Sequence, residues 1–372
     1  MRPAHLYVHV PFCARRCSYC DFAIAVRKIV PVDEYVGAIE AELDLRHGGA
    51  GAWPVQTLYL GGGTPSRLGA QGIRRLIAGF TKRIQLDPRA EVTIEANPDD
   101  VTPDAAGRWR DAGINRVSLG AQSFDNRSLA WMHRVHDADS IATAFSTLKA
   151  AGFDDISLDL IFALPSSLHR DWRNDIVQAI ALGPQHVSLY GLTVEAQAPV
   201  GRWVARGEVS EAPEESYESE FLLAHDLLAS AGLEHYEVSN FAKPDYRARH
   251  NSAYWQAVPY VGIGPGAHEF EPPRRRWNVG AYAEWVRRLE MRNDPIEGSE
   301  ELTDENRVAE NVYLGMRTLD GLAIDDDEAE YVRRWIDAGW ATVSPAMQLV
   351  LTARGWLRLD SLAADLTLLR SR

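Results

Sequence analysis

The sequence predicts an α/β fold built on a parallel sheet, with its functional groups gathered along one rim. Two observations predict this. Short apolar runs recur between helical patterns: HLYVHV from residue 5, QTLYL from 56, EVTIEA from 91, NRVSLG from 115, DDISLDLIF from 154 and HVSLYGL from 186. Runs of that length bounded by turn residues suit buried strands, and six of them alternating with helices imply parallel pairing. The second observation is that polar or glycine-rich residues follow the first four runs directly: three cysteines, then GGGTPS, NPDD and AQSF. Strand-helix units of this kind close into a barrel or stack as an open doubly wound sheet, and both architectures place sites at the carboxyl ends of the strands.

The elements follow in order. Val36, Ile39 and Leu43 share one face of the first helix, with Asp33 placed as its cap, and Ile73, Leu76, Ile77 and Phe80 share one face of the second. Residues 1–199 form the core on this reading. After Pro199 the alternation stops: ESYESEFLLAHDLLASAG reads as helix, HYEVSNF as strand and YVGIGPGAH as a glycine-rich turn, so 200–290 extends the main domain. Residues 291–372 carry helical patterns at ENRVAENVYLGMRTL and DDEAEYVRRWIDAG, then the short ATV and LTARGWLRLDSLAADL, which suggests a small winged-helix-like helical domain. No internal repeat or low-complexity tract interrupts the chain.

Composition narrows the function classes. The 372 residues are 46% hydrophobic and 24% charged, ordinary for a soluble globular protein and more than one hydrophobic core usually serves. The formal charge of −13 argues against a nucleic-acid partner, since phosphate binding needs a cationic face. Much of that charge is local. From Asp294 to Tyr331 thirteen acidic residues face two basic ones, which marks a solvated face or a partner surface; RRR at 274–276 by itself means little. The opening MRPAHLYVHVPF is too short an apolar run for a signal peptide, and no stretch approaches the roughly 20 apolar residues of a membrane span. A cytoplasmic location follows, where thiols stay reduced, with peripheral membrane contact still compatible.

The only cysteines, Cys13, Cys17 and Cys20, occupy eight positions in a C-x3-C-x2-C spacing just after the first strand. An odd, clustered set does not make a secreted disulfide framework. Three thiolates suit a cubane [4Fe-4S] cluster with one iron left open. A structural zinc ion, which wants four closed ligands, would have to recruit His9 or Asp21.

With the aromatic Tyr19 just before the last cysteine, this motif resembles the signature of the radical S-adenosylmethionine (SAM) enzymes. The resemblance implies that the open iron is chelated by the methionine end of SAM, and that in such enzymes SAM is cleaved to methionine and a 5′-deoxyadenosyl radical. It sharpens along the chain: LYVHVPFC, YLGGGTPS, TIEANPD, RVSLGAQSF, the RVH of HRVH, DLIFALP, HVSLYGLT, YEVSNFA, HNSAYW and GIGPGAH occur in order and resemble the oxygen-independent coproporphyrinogen III oxidase-like family. The fold this implies is a partial (β/α)6 radical-SAM TIM-like barrel. The SAM site it implies is lined by Tyr7, Tyr19, Gly62, Gly63, Thr64, Glu95, Gln122, Arg134 and Asp159. Glu95 and Asp159 would face the SAM ammonium or ribose, and Arg134 a carboxylate. ALPSS at 163–167 departs from the glycine-bearing GLPGQT that the resemblance leads one to expect, and Ala and Ser resist backbone geometry that Gly allows.

Two branches of that family differ in what they do. In the decarboxylating oxidase the third cluster cysteine is followed two positions later by another cysteine; here Phe22 stands there, and only twelve residues precede Cys13. Both features resemble the heme chaperone branch, the HemW-type proteins, which bind heme and hand it to acceptor hemoproteins. HNSAYW at 250–255 matches a motif associated with heme in that branch. The resemblance therefore implies heme as cargo, with His250 a candidate axial ligand, Asn251, Tyr254 and Trp255 beside it, and His268 as a second candidate. Oxidative decarboxylation of coproporphyrinogen III is the alternative, and whether SAM is turned over stays open.

Overall fold

A computed structural model describes residues 2–48 and 53–371. Each of the six expected runs is a strand: β1 His5–Val10, β2 Trp53–Gly62, β3 Ile84–Ala96, β4 Arg116–Gln122, β5 Asp155–Phe162 and β6 His186–Gly191. They lie side by side in chain order, all parallel. The strands from the region beyond 199 are β7 Glu234–Glu237, β8 Asn240–Ala242, β9 Tyr260–Ile263, β10 His268–Glu271, β11 Arg274–Asn278 and β12 Ile296–Glu301. They extend both edges, giving a twelve-stranded sheet in the order β12-β11-β10-β9-β1-β2-β3-β4-β5-β6-β8-β7.

Three expectations change. YVGIGPGAH is not only a turn: its first residues form β9, a seventh parallel strand that pairs with β1 through Leu6↔Val261 and Tyr7↔Gly262. HYEVSNF is two antiparallel strands rather than one. The last strand, β12, lies past the boundary expected at residue 290, because the RRR cluster on β11 recruits it. Arg276 pairs with Asp294, and Arg275 pairs with Glu300 and Glu310.

The helices pack where their apolar stripes dictate. In α1 (Val32–His47), Val36, Ile39 and Leu43 are buried; Pro31 is the N-cap, so Asp33 sits in the first turn rather than at the cap. In α2 (Gly69–Thr81), Ile73, Leu76, Ile77 and Phe80 are buried. Next come α3 (Pro103–Asp111), α4 (Asn126–Trp131), α5 (Ala138–Ala150), α6 (Trp172–Leu182), α7 (Pro199–Ala205), α8 (Glu214–Ser230) and α9 (Arg249–Trp255), then α10 (Tyr282–Glu290) and α11 (Asp304–Met316).

Along each core strand, alternate residues point away from the helices. Leu6, Val8, Val10, Leu58, Leu60, Val92 and Ile94 belong to the apolar core, while His5, Tyr7, His9, Thr57, Tyr59, Glu91 and Glu95 face the concave interior. The interior is therefore polar and aromatic. The C-terminal region forms a three-stranded antiparallel sheet, Leu322–Ala323, Gln348–Leu351 and Ala341–Val343, with helices around it. Its apolar residues, from Val312 to Leu366, join the same continuous core as Leu6. Among the described residues no helix is long and apolar enough to cross a membrane.

Candidate functional site

At the carboxyl ends of the parallel strands lies a pocket of about 480 Å3. All three cysteines line it, together with Tyr19, Gly62, Gly63, Thr64, Glu95, Gln122, Arg134 and Asp159. The first cysteine is fixed in a short parallel pair, Phe12–Cys13 with Ala25–Val26, closed by the Ala25 amide on the Pro11 carbonyl (2.7 Å) and the Arg27 amide on the Cys13 carbonyl (3.0 Å). The loop between is tied down at its middle: the Ser18 amide donates to the Met132 carbonyl at 3.1 Å, and the Val200 amide of α7 donates to the Ser18 carbonyl at 2.8 Å.

Burial pushes the Cys13 thiol up and the Cys20 thiol up to about 11, so ligation there displaces protons. The donor set fits a cluster better than a zinc ion. His9 is spent on Tyr7 (3.1 Å) and on the Ala23 carbonyl (2.9 Å), and among the described residues no three His, Cys, Asp or Glu converge tightly enough for one metal ion.

Glycines let the second loop approach this group. A Cβ on Gly63 would stand 2.7 Å from the Pro11 carbonyl, and Gly62 has φ +110°, a left-handed value that L side chains rarely adopt. The Gly62 amide donates to Glu95 Oε2 at 3.0 Å and the Tyr59 hydroxyl to Oε1 at 2.8 Å. Burial nevertheless raises the Glu95 carboxyl to about 7. Asp159 is likewise raised by burial, although Ser118 donates to it at 2.9 Å. Gln122 ends β4 at φ +68°, after a register shift against β5, and the bulge turns its side chain into the pocket.

Arg134 follows α4 and is half-buried, with its Nε shielded from solvent. It donates to the Gly120 carbonyl at 3.0 Å, to Asn97, and to Cys17 Sγ at 3.5 Å, while its Nε has no partner. A buried cationic donor left unpaired beside the pocket suits an anionic ligand group. Asp21, Phe22, Asn97, Ser118, Tyr190 and Glu195 also line the pocket. Asn97, Ser118 and Tyr190 fall within the quoted motifs; nothing in the spacing of Glu195 marks it, and only the path of the chain after β6 brings it in.

Two groups of expected residues lie elsewhere. Tyr7 is a layer beneath the pocket, its ring stacked on Tyr59 with centroids 6.1 Å apart. The HNSAYW helix α9 plugs the opposite, amino-terminal end of the barrel. There Glu91 accepts from the amides of Arg249 (2.7 Å) and His250 (3.0 Å), a carboxylate at a helix N-terminus. His250 is 1% exposed. Thr57 holds its Nδ1 at 2.7 Å and Tyr254 its Nε2 at 2.7 Å, and burial drops its imidazole to about 3. In this arrangement no ring nitrogen is free for iron, which corrects the expectation of His250 as axial ligand.

A separate groove of about 460 Å3 runs beside α9 under the inner face of β10 and β11. Tyr254, Trp255, Tyr260, Phe270 and Trp277 line it, together with Glu269, Glu300, Glu310 and a single cation, Arg275. His268, exposed and stacked on Trp277 with centroids 5.9 Å apart, stands at its edge; burial and Arg275 lower its imidazole. Asn251 lines neither cavity.

Comparison with known proteins places this geometry. The family model of the Radical SAM superfamily matches residues 7–177. The heme chaperone HemW of Synechocystis sp. is 34% identical over 87% of this chain and 80% of its own length. That of Mycobacterium tuberculosis is 36% identical over 98% and 95%, and that of Escherichia coli 38% over 72% and 70%. Among solved structures, coproporphyrinogen III oxidase (HemN) from Escherichia coli, a radical SAM enzyme, superposes with a TM-score of 0.81 at 20% identity. The match covers 98% of this chain and 89% of that one, which establishes the α/β radical-SAM fold with its partial barrel.

Proposed function

The chain belongs to the radical SAM superfamily and, within it, to the HemW family, and from that premise we propose that it is a heme chaperone. On this reading it holds a [4Fe-4S] cluster and SAM in the pocket at the strand ends, and carries heme for acceptor hemoproteins in the aromatic groove beside α9. Cys13, Cys17 and Cys20 would hold the cluster. When bound, the cluster supplies an open iron for the methionine end of SAM and a source of one electron.

The chain's own residues supply the rest. Arg134, with its unpaired Nε, would take the SAM carboxylate. Glu95 and Asp159 would face its ammonium and ribose hydroxyls, and the Gly62–Gly63 backbone lets the ligand lie close. Tyr19 would pack beside the cluster on the loop.

The observation that carries the cargo reading is the groove at His268. Flat aromatic walls suit a macrocycle. An exposed imidazole whose protonation is disfavoured suits an iron ligand, a role that buried and fully bonded His250 does not meet.

The porphyrinogen oxidase reading is disfavoured by Phe22, which stands where the oxidase carries an additional cysteine. An anaerobic titration of heme into cluster-loaded protein, followed by its Soret band, tests the proposal. Saturation near one heme per chain, weakened in His268→Ala and Trp277→Ala, is expected. Absence of saturable binding would overturn it, and the coproporphyrinogen III assay would decide the alternative.

A further inference from the structure

The acidic stretch beyond Asp294 is not a uniformly solvated face. Part of it walls a cleft of about 1090 Å3 between the β10–β11 turn, α11 and the helix Asp326–Tyr331, more than twice the volume of the SAM pocket. Its floor is apolar, built from Phe270, Pro273, Leu302, Val308, Ile324 and Leu369. Its rim carries Asp304, Glu310, Asp325, Asp327 and Glu328 against Arg307 and Arg370.

Both cations are already engaged, Arg307 with Asp304 at 3.1 Å and Arg370 with Glu328 at 2.6 Å, and Glu310 is held by Arg275. Asp325 and Asp327 are left exposed with no ion pair among the described residues, and Asp326 is exposed between them. An apolar floor under an uncompensated anionic rim is the complement of one kind of ligand surface.

We propose that this cleft docks a cationic amphipathic segment of a partner protein, with apolar side chains on the floor and Lys or Arg against Asp325 and Asp327. Other occupants match it less well. Lipid headgroups of anionic membranes and nucleic-acid phosphates would meet like charge. A divalent cation would lack a built site, since among the described residues no three acidic or imidazole groups converge on one point. A helix or strand presenting alternating apolar and basic positions satisfies floor and rim together.

The cleft is continuous with the aromatic groove: Ala257, Phe270 and Glu310 line both. A segment seated in the cleft would therefore lie beside the groove's contents. That the partner is the protein receiving heme rests on the reading given above; that the segment is cationic and amphipathic does not.

Fluorescence anisotropy of the full-length chain with a labelled synthetic 14-residue Leu/Lys amphipathic peptide tests the proposal. An analogue carrying Glu at every Lys position is the control peptide. The Lys peptide should bind, weaken with added salt, and lose at least tenfold in affinity to the double variant Asp325→Asn/Asp327→Asn, in which Asn keeps the helix cap that Asp325 makes to the Glu328 amide. Val308→Arg, which fills the floor without unfolding a half-buried position, should also lose binding. Glu214→Gln/Glu215→Gln, at the start of α8 away from the cleft, should bind as the parent does.

Equal affinity of parent and Asp325→Asn/Asp327→Asn, equal binding of the Glu peptide, or equal loss in the α8 variant would overturn the docking site. So would occupation of the cleft by a second copy of the chain, detected as an Asp327-dependent dimer by sedimentation. A heme titration on the same samples separates the two readings: peptide binding without heme binding removes the chaperone reading and leaves the cleft, and heme binding without peptide binding does the reverse.

Discussion

His250 Nε2 and the Tyr254 hydroxyl lie 2.7 Å apart, one helical turn from each other on α9, and Thr57 bridges the other imidazole nitrogen to His5 through contacts of 2.7 and 2.9 Å. The ring also lies nearly flat on Tyr59, with centroids 5.1 Å apart. His250 thereby ties the plug of the barrel to β2, whose Tyr59 and Gly62 donate to the Glu95 carboxylate.

Removing that imidazole leaves buried hydroxyls unpaired and opens a void, so His250→Ala is expected to lower folding stability by about 3 kcal/mol. Urea unfolding measures this. The folded fraction should still bind heme with parental affinity, whereas His268→Ala should keep its stability and lose binding. A His250→Ala protein of parental stability that binds no heme would return His250 to the role of ligand.

Glu95 gives a pH signature. Desolvation raises its half-buried carboxyl to about 7, above the ordinary carboxylate range. A raised folded pKa means the native state holds a proton that the unfolded chain releases. Its contribution is therefore complete below about pH 4.5 and lost as pH climbs to about 7, amounting to roughly 3 kcal/mol over that window. Melting temperature of the ligand-free protein against pH should show this decline, and Glu95→Gln should flatten it. SAM affinity of the parent should rise across the same window, because the cation prefers the ionised carboxylate. Parallel profiles for parent and variant would contradict this assignment.

Ala163 sits at φ +56°, buried, with its amide on Glu220 Oε2 at 2.7 Å. The backbone thus adopts glycine-like geometry with a methyl group in place. Ala163→Gly should stabilise the fold by about 1 kcal/mol by relieving the left-handed strain, less the entropy that glycine costs. Thermal unfolding under anaerobic conditions decides it; a lower melting point would mean that the methyl packing outweighs the strain.

Anaerobic reconstitution should give about four iron and about four sulfide per chain. Cys13→Ala, Cys17→Ala and Cys20→Ala should each bring both close to zero, since two thiolates hold a cubane poorly. Stoichiometric zinc in the parent, with no acid-labile sulfide, would favour the closed zinc site instead.

Much of this site was legible in the sequence because its residues sit directly behind strands, where apolar alternation and polar residues announce themselves together. Cys13, Gly62, Glu95 and Gln122 are of that kind. Glu195 was not legible, since it lies outside every motif and only the path of the chain after β6 carries it to the pocket. Tyr7 and His250 misled for a related reason: a motif fixes neighbours along the chain, but inner-face alternation decides at which level of the barrel a ring lies. β9 was hidden by its glycines, which suit a turn, yet Gly262 is needed where the His268 backbone crosses. The acidic stretch could be counted from composition, but the cleft it walls depends on the pairing of β10 with β11.

The short strand pair around Cys13 and Ala25 makes the cysteine loop an inset, clamped at both mouths and pinned once in the middle by Met132 and Val200. Every one of these ties is a backbone hydrogen bond that spares the thiols, so the loop keeps its place by main-chain contacts, whatever the three sulfurs hold.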